Sequence, residues 1–214
     1  MEIYPVESGP VATVGYLITD GRSNEAMVID APIGSAPEFL SIAGSKKLKI
    51  TKIALTHSHW DHFADSGELR RASGAKLYVH ARDEYRMINP DAHMMFPIKL
   101  QIEAVTADEY IEHGSKIICG ELEATALATP GHTEGGVSIY FPGDGVVFTG
   151  DTLFAGSIGR TDLPGGDLDQ ILRSIRSELL ALPPETVVYP GHGEATTIDE
   201  EKKYNPFLTL NERP

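Results

Sequence analysis

Thr56-His57-Ser58-His59-Trp60-Asp61-His62 decides how this chain is read. The stretch sets four candidate metal ligands, His57, His59, Asp61 and His62, within six residues, directly after the apolar run Ile50 to Leu55. Core packing gives no reason to gather three histidines and a carboxylate at one point. The spacing reads as a loop that leaves a strand and enters a helix, with Phe63 to Ala72 supplying the helix. Neutral imidazole and carboxylate are ligands that suit zinc, iron or manganese. A metal site here needs ligands from elsewhere in the chain to complete it.

Leu48 to Leu55 is the strand that feeds this loop, and Gly74 ends the helix that follows. Upstream, Val11 to Ile18 and Ala26 to Ile29 read as a β-hairpin around Asp20-Gly21-Arg22-Ser23-Asn24. The second of these strands ends at Asp30, which serves either the site or a turn. Ala36 to Ala43 is a short helix closed by Gly44. Downstream, Lys76 to Val79 is a strand and Arg82 to Ile88 a helix. Asn89 to Gln101, rich in Met and Pro, is a loop able to wall a pocket. Strands over Ile117 to Ala128, Gly136 to Phe141 and Val146 to Thr149 follow. Asp167 caps a helix with apolar positions Leu168, Ile171, Leu172, Ile175, Leu179 and Leu182, ended by Pro183-Pro184. Thr186 to Tyr189 is the last strand.

Three of these strands end on further ligands: Thr129-Pro130-Gly131-His132, Gly150-Asp151 and Pro190-Gly191-His192. Pro-Gly ahead of a histidine lets the backbone turn sharply and aim the ring over a sheet edge. The candidate ligands are then His57, His59, Asp61, His62, His132, Asp151 and His192. That is too many for one tetrahedral zinc and suits two metals sharing a carboxylate. His80, His93 and His113 lack such contexts and read as structural or solvated.

Composition bounds the function. The 214 residues carry a net charge of −13, which speaks against phosphate-backbone binding and so against a nucleic-acid partner. No segment reaches the roughly 18 apolar residues of a membrane helix. The single cysteine, Cys119, follows Ile117-Ile118 and reads as a buried strand thiol. With no signal peptide in view, a reducing, cytoplasmic setting is expected.

Taken together, His57-x-His59-x-Asp61-His62, Pro130-Gly131-His132, Gly150-Asp151 and Pro190-Gly191-His192 resemble the motif set of the metallo-β-lactamase superfamily, over nearly the whole chain. The resemblance implies an α/β fold, an αββα sandwich of two mixed β-sheets with helices on the outer faces. It implies two divalent metal ions, zinc first, with iron or manganese as substitutes. His57, His59 and His132 hold the first, and Asp61, His62 and His192 the second. Asp151 and a water or hydroxide bridge them. Asp30 matches the family's strand-end aspartate, which supports a ligand histidine from behind.

Finer motifs narrow the choice. Asp61-His62 resembles the glyoxalase II, lactonase and ribonuclease Z branches, Gly159-Arg160-Thr161-Asp162 resembles glyoxalase II-like proteins, and Asn205-Pro206-Phe207-Leu208 resembles their short bacterial form. Residues 1–214 are expected as one domain, without the separate C-terminal helical domain that carries much of the glutathione site in full-length glyoxalase II. The expected activity is hydrolysis of an S-2-hydroxyacylglutathione thioester, a small-molecule substrate. Asp61 and Asp151 act on the attacking water. Arg160 pairs with a substrate carboxylate or with Asp162 or Asp167, and Trp60 lines the pocket or packs beneath the loop. The Gly-Arg-Thr-Asp stretch also resembles persulfide dioxygenases, which use His57, His132 and Asp151 around one iron. A lactonase or another ester hydrolase of the superfamily is the remaining alternative.

Overall fold

The computed structural model describes residues 1–93 and 100–209. Residues 94–99 of the expected Met-rich loop therefore lie outside the described residues, and Pro90–His93 within it is helical. The chain divides into two compact units, Met1–Ile111 with Ile118–Leu122, and Glu112–Ile117 with the chain from Glu123 onward.

In the first unit the strands are β1 (Glu2–Ser8), β2 (Thr13–Thr19), β3 (Glu25–Ile29), β4 (Lys49–Ala54), β5 (Lys76–Val79) and β6 (Glu109–Tyr110). They form one mixed sheet in sequence order. β1, β2 and β3 pair antiparallel, and β3 to β6 pair parallel. Strands with both faces covered read as continuous apolar runs, and β2, buried at every residue, is such a strand. β1 carries Pro5 and has no such run, which is why the sequence does not announce it; Pro is tolerated there because the strand lies at a sheet edge. The expected β2–β3 hairpin is present. Its turn is held by the Asp20 carboxylate, which accepts from the backbone N–H groups of Glu121, Arg22 and Ser23, each at 2.7 Å. These bonds, that from Glu121 foremost, keep Asp20 well below the usual carboxylate range.

The helices of this unit are α1 (Ala36–Lys46), α2 (Trp60–Phe63), α3 (Ser66–Ser73), α4 (Glu84–Ile88) and α5 (Pro90–His93). Two expectations need correction. Gly44 does not close α1, which runs on to Lys46 and ends at Lys47 in the left-handed region. A glycine inside a helix costs only about 1 kcal/mol, less than the burial of Phe39 and Ala43 on the same helix contributes. The helix expected from Phe63 to Ala72 spans the end of α2 and most of α3, with a break between them. Asp65 breaks it, because its N–H donates to the Ala31 carbonyl and its carboxylate accepts from the Ala36 N–H. Gly74 does end α3, at φ +73°. The core of the unit gathers Leu17, Val28, Phe39, Ile53, Phe63 and Leu77.

The second sheet runs, in chain order, β7 (Lys116–Cys119), β8 (Leu122–Ala128), β9 (Val137–Phe141), β10 (Val146–Gly150), β13 (Val187–Pro190) and β14 (Thr196–Thr197). It too is mixed, with β10 and β13 parallel and the pairs β8–β9, β9–β10 and β13–β14 antiparallel. β11 (Leu153–Phe154) and β12 (Ser157–Ile158) form a small hairpin. The helices are α6 (Leu168–Ser174), α7 (Ile198–Tyr204) and α8 (Pro206–Thr209). Asp167 caps α6 as expected, its side chain accepting from the Gln170 N–H at 2.8 Å. The helix continues as a π-helical turn, Ile175–Leu179, which keeps Ile175 and Leu179 buried with Ile171. Cys119 is a buried strand thiol, and burial pushes it up to about 11. Among the described residues no helix is long and apolar enough to cross a membrane.

Candidate metal centre

Each unit carries its own set of ligand-type side chains, past strand ends and, for Asp61 and His62, within α2. In the first, β4 stops at Ala54 and the chain passes through His57 and His59 into α2. The His57 and His59 ring centroids are 5.0 Å apart and those of His57 and His62 4.1 Å apart. His62 Nε2 lies 3.5 Å from Asp61 Oδ2. Within this unit, His57 with His59, His57 with His62, and Asp61 with His62 each bring ligand atoms within 4.8 Å. His57, Asp61 and His62 are buried. Asp61 does not cap its helix; His59 takes the capping position, and the Asp61 carboxylate accepts from the Thr13 hydroxyl at 2.8 Å.

Asp30 organises this set. It sits at the end of β3 with φ +57°, a left-handed conformation that Asp tolerates better than most side chains. Its Oδ1 accepts the Thr56 N–H at 2.8 Å, and its Oδ2 accepts the Thr56 hydroxyl at 2.7 Å and His62 Nδ1 at 2.8 Å. Because the Thr56 hydroxyl donates to Asp30, its oxygen accepts from His57 Nδ1, 3.1 Å away. One carboxylate therefore puts the proton on Nδ1 of His62 directly and of His57 through Thr56. The Nε2 lone pair of each neutral ring is then the one available for a metal.

In the second unit, His132 Nε2 and His192 Nε2 lie 3.5 and 3.6 Å from Asp151 Oδ2. His132 Nδ1 donates to the Arg160 carbonyl at 2.7 Å, so its Nε2 is again the lone-pair nitrogen. The His132 Nε2 lone pair therefore faces a carboxylate oxygen, an arrangement that a cation between the two would relieve. The 3.5–3.6 Å spacing also suits neighbouring ligands of one ion, since a tetrahedron with bonds of about 2.1 Å has edges of about 3.4 Å. The donor set of both units thus fits divalent metal.

The two Pro-Gly-His stretches fold differently. Gly131 has φ +131°, whereas in the second stretch the left-handed glycine is Gly193, after the histidine. A Cβ on Gly131 would lie 2.2 Å from the Ile171 backbone nitrogen, since α6 packs directly on this turn. Gly131→Ala is accordingly expected to cost about 2–4 kcal/mol, from overlap plus backbone strain. Urea unfolding checks it; a loss under about 0.5 kcal/mol would contradict the close packing.

Three contributions were not read from the sequence. Thr13 reaches Asp61 from another strand. Asp83 accepts the Ser58 N–H at 2.9 Å, steadying the histidine loop. The part of Arg160 that reaches the ligand set is its carbonyl, a group that every residue type carries. Its guanidinium pairs with Asp162 through two bonds of 2.7 Å, holding that carboxyl at about 2. Gly159 allows the approach, since a Cβ there would lie 1.8 Å from the Asp151 carbonyl oxygen. Trp60 is buried in the core of its unit.

A profile described as "Metallo-beta-lactamase superfamily" matches residues 8–192. The chain belongs to the metallo-β-lactamase superfamily. The fold expected from the sequence is accordingly this superfamily's, two mixed sheets with helices, and its members are metallo-hydrolases that bind divalent metal. Among relatives, "Hydroxyacylglutathione hydrolase GloC" of Haemophilus influenzae is 34% identical over 195 residues, 90% of this chain and 91% of that protein. Among solved structures, the BLEG-1 B3 metallo-β-lactamase has a TM-score of 0.90 at 33% identity, covering 97% of this chain and 100% of that one. TTHA1623 in a di-iron-bound form has a TM-score of 0.86 at 34% identity, covering 96% and 100%.

Proposed function

We propose that this metallo-hydrolase is a binuclear thioesterase acting on S-2-hydroxyacylglutathione-type thioesters. His57, His59 and His132 would hold one metal, Asp61, His62 and His192 the other, and Asp151 both. When bound, a metal pair supplies an acidified water and an electrophilic contact for the substrate carbonyl. The observation that carries the reading is the complete donor set, with Nδ1 of His57, His62 and His132 already engaged by the protein. A di-iron relative in structure and a hydroxyacylglutathione hydrolase in sequence support it.

The chain's own residues have a limited task. Asp61 orients the attacking water and helps receive its proton. The leaving thiolate departs unprotonated, because a thiol has a pKa of roughly 8.5, so no dedicated acid is needed. Arg160, exposed and paired with Asp162, can exchange that partner for a substrate carboxylate at little cost, since an exposed ion pair is screened by solvent and contributes little.

The test is metal analysis of the purified chain together with turnover of S-lactoylglutathione, glutathione persulfide and a β-lactam. Two metals per chain and release of glutathione from S-lactoylglutathione are expected. One iron with oxygen-dependent loss of the persulfide would replace the reading with a dioxygenase. Turnover of the β-lactam alone would replace it with a lactamase.

A further inference from the structure

Thr13 is the first residue of β2 and is fully buried. The turn before it has Gly9 at φ +78° and Ala12 at φ +55°, with the Ala12 N–H donating to the Gly9 carbonyl. Ser8 of β1 stands opposite Thr13 in the hairpin register. This turn delivers the Thr13 hydroxyl to Asp61 Oδ2 at 2.8 Å, across 48 positions of sequence. The same oxygen lies 3.5 Å from Nε2 of His62.

An ionised carboxylate accepts at both oxygens, each with two lone-pair sites. A hydroxyl that donates to one of them occupies one site and leaves the other to a second partner. It also removes the carboxylate's freedom to turn about its own bond, and a hydrogen bond to a charged acceptor is stronger than one between neutral groups. Among the described residues the Thr13 hydroxyl makes this one side-chain hydrogen bond, and the position is buried in a strand, where valine would fill the same space.

We infer that Thr13 is a positioning residue whose hydroxyl holds Asp61 Oδ2 beside His62 Nε2 and so sets the affinity for the second metal. The inference rests on the two-metal reading above. In this role Thr13 acts through Asp61, the residue its hydroxyl holds.

The experiment is a zinc titration of the full chain against a chromophoric chelator, repeated with cobalt so that absorption reports the second site. Thr13→Val should leave the first dissociation constant within about twofold and weaken the second about tenfold or more, as loss of an outer hydrogen bond to a ligand does. Thr13→Ser, which keeps the hydroxyl, should stay close to the parent. If Thr13→Val does not fold, Thr13→Ala takes its place against Thr13→Ser. An unchanged second constant in the variant without the hydroxyl overturns the inference, as does an equal loss in Thr13→Ser, which would make the effect one of packing. Asp61→Asn in the same titration separates the two levels. A parent that binds one equivalent, unaffected by Asp61→Asn, removes the two-metal reading itself. A parent that binds two, with the second lost in Asp61→Asn and kept in Thr13→Val, removes only the role given to Thr13.

Discussion

Asp61→Asn is expected to leave the chain folded and slow its turnover at least about a hundredfold, or roughly 2.7 kcal/mol in barrier. The fold survives because Asp61 is not the cap of its helix, and the asparagine carbonyl can still accept from Thr13. The charge does not survive. A neutral amide is a poor ligand for a divalent ion and a poor acceptor for the proton of the attacking water. Thermal melting, metal content and turnover of S-lactoylglutathione belong on one preparation. A normal melt with about one metal in place of two is the expected companion of the rate loss. Full metal content with near-normal turnover would leave Asp61 without a chemical role and take the two-metal hydrolysis with it.

The second large effect is expected from Asp30→Ala, and it falls on stability and metal together. The change strands three donors, the Thr56 N–H, the Thr56 hydroxyl and His62 Nδ1, all buried. Each buried group left without its partner costs about 1–3 kcal/mol, so a loss of about 4 kcal/mol or more is expected. For a chain of this length that lowers the melting temperature by about 10 °C. His57 and His62 also lose the bonds that fix their tautomer, so both metals should weaken about tenfold or more. Relief of the left-handed backbone strain does not rescue the variant, since alanine tolerates φ +57° no better than aspartate. Asp30→Asn discriminates between the two losses: it keeps the size and one acceptor oxygen, and should recover part of the stability but little of the metal affinity. A melting point within about 2 °C of the parent for Asp30→Ala would show that the three bonds contribute little.

Much of this arrangement was legible in the sequence because it is written in local terms. A strand is a short apolar run, a ligand is a histidine or aspartate just past it, and a cap is an aspartate three residues before the N–H it accepts. β2 to β5, β8 to β10, α6 and the positions of His57, His59, His132, Asp151 and His192 past strand ends follow from such signals, whereas Asp61 and His62 stand within α2. What escaped them depends on partners far along the chain. The break between α2 and α3 comes from Asp65 meeting Ala31 and Ala36, which no helical periodicity reveals. Thr13 and Asp83 are an ordinary threonine and an ordinary acid until folding places them beside Asp61 and Ser58. The apparent repeat of Pro-Gly-His misled in a smaller way, since identical residues turn the chain with different glycines.

The hold on His132 by a carbonyl has a consequence for how such a protein can change over time. A main-chain oxygen at residue 160 is supplied by whichever amino acid stands there, so long as Gly159 keeps its close approach to Asp151. The side chain at 160 can then vary, at the cost of only an exposed ion pair, without disturbing the ligand behind it. On the proposed reading, anchoring would fall to the main chain of residue 160 and selectivity to its side chain. New preferences can be tried at that position by single substitutions while the chemistry beneath is inherited intact.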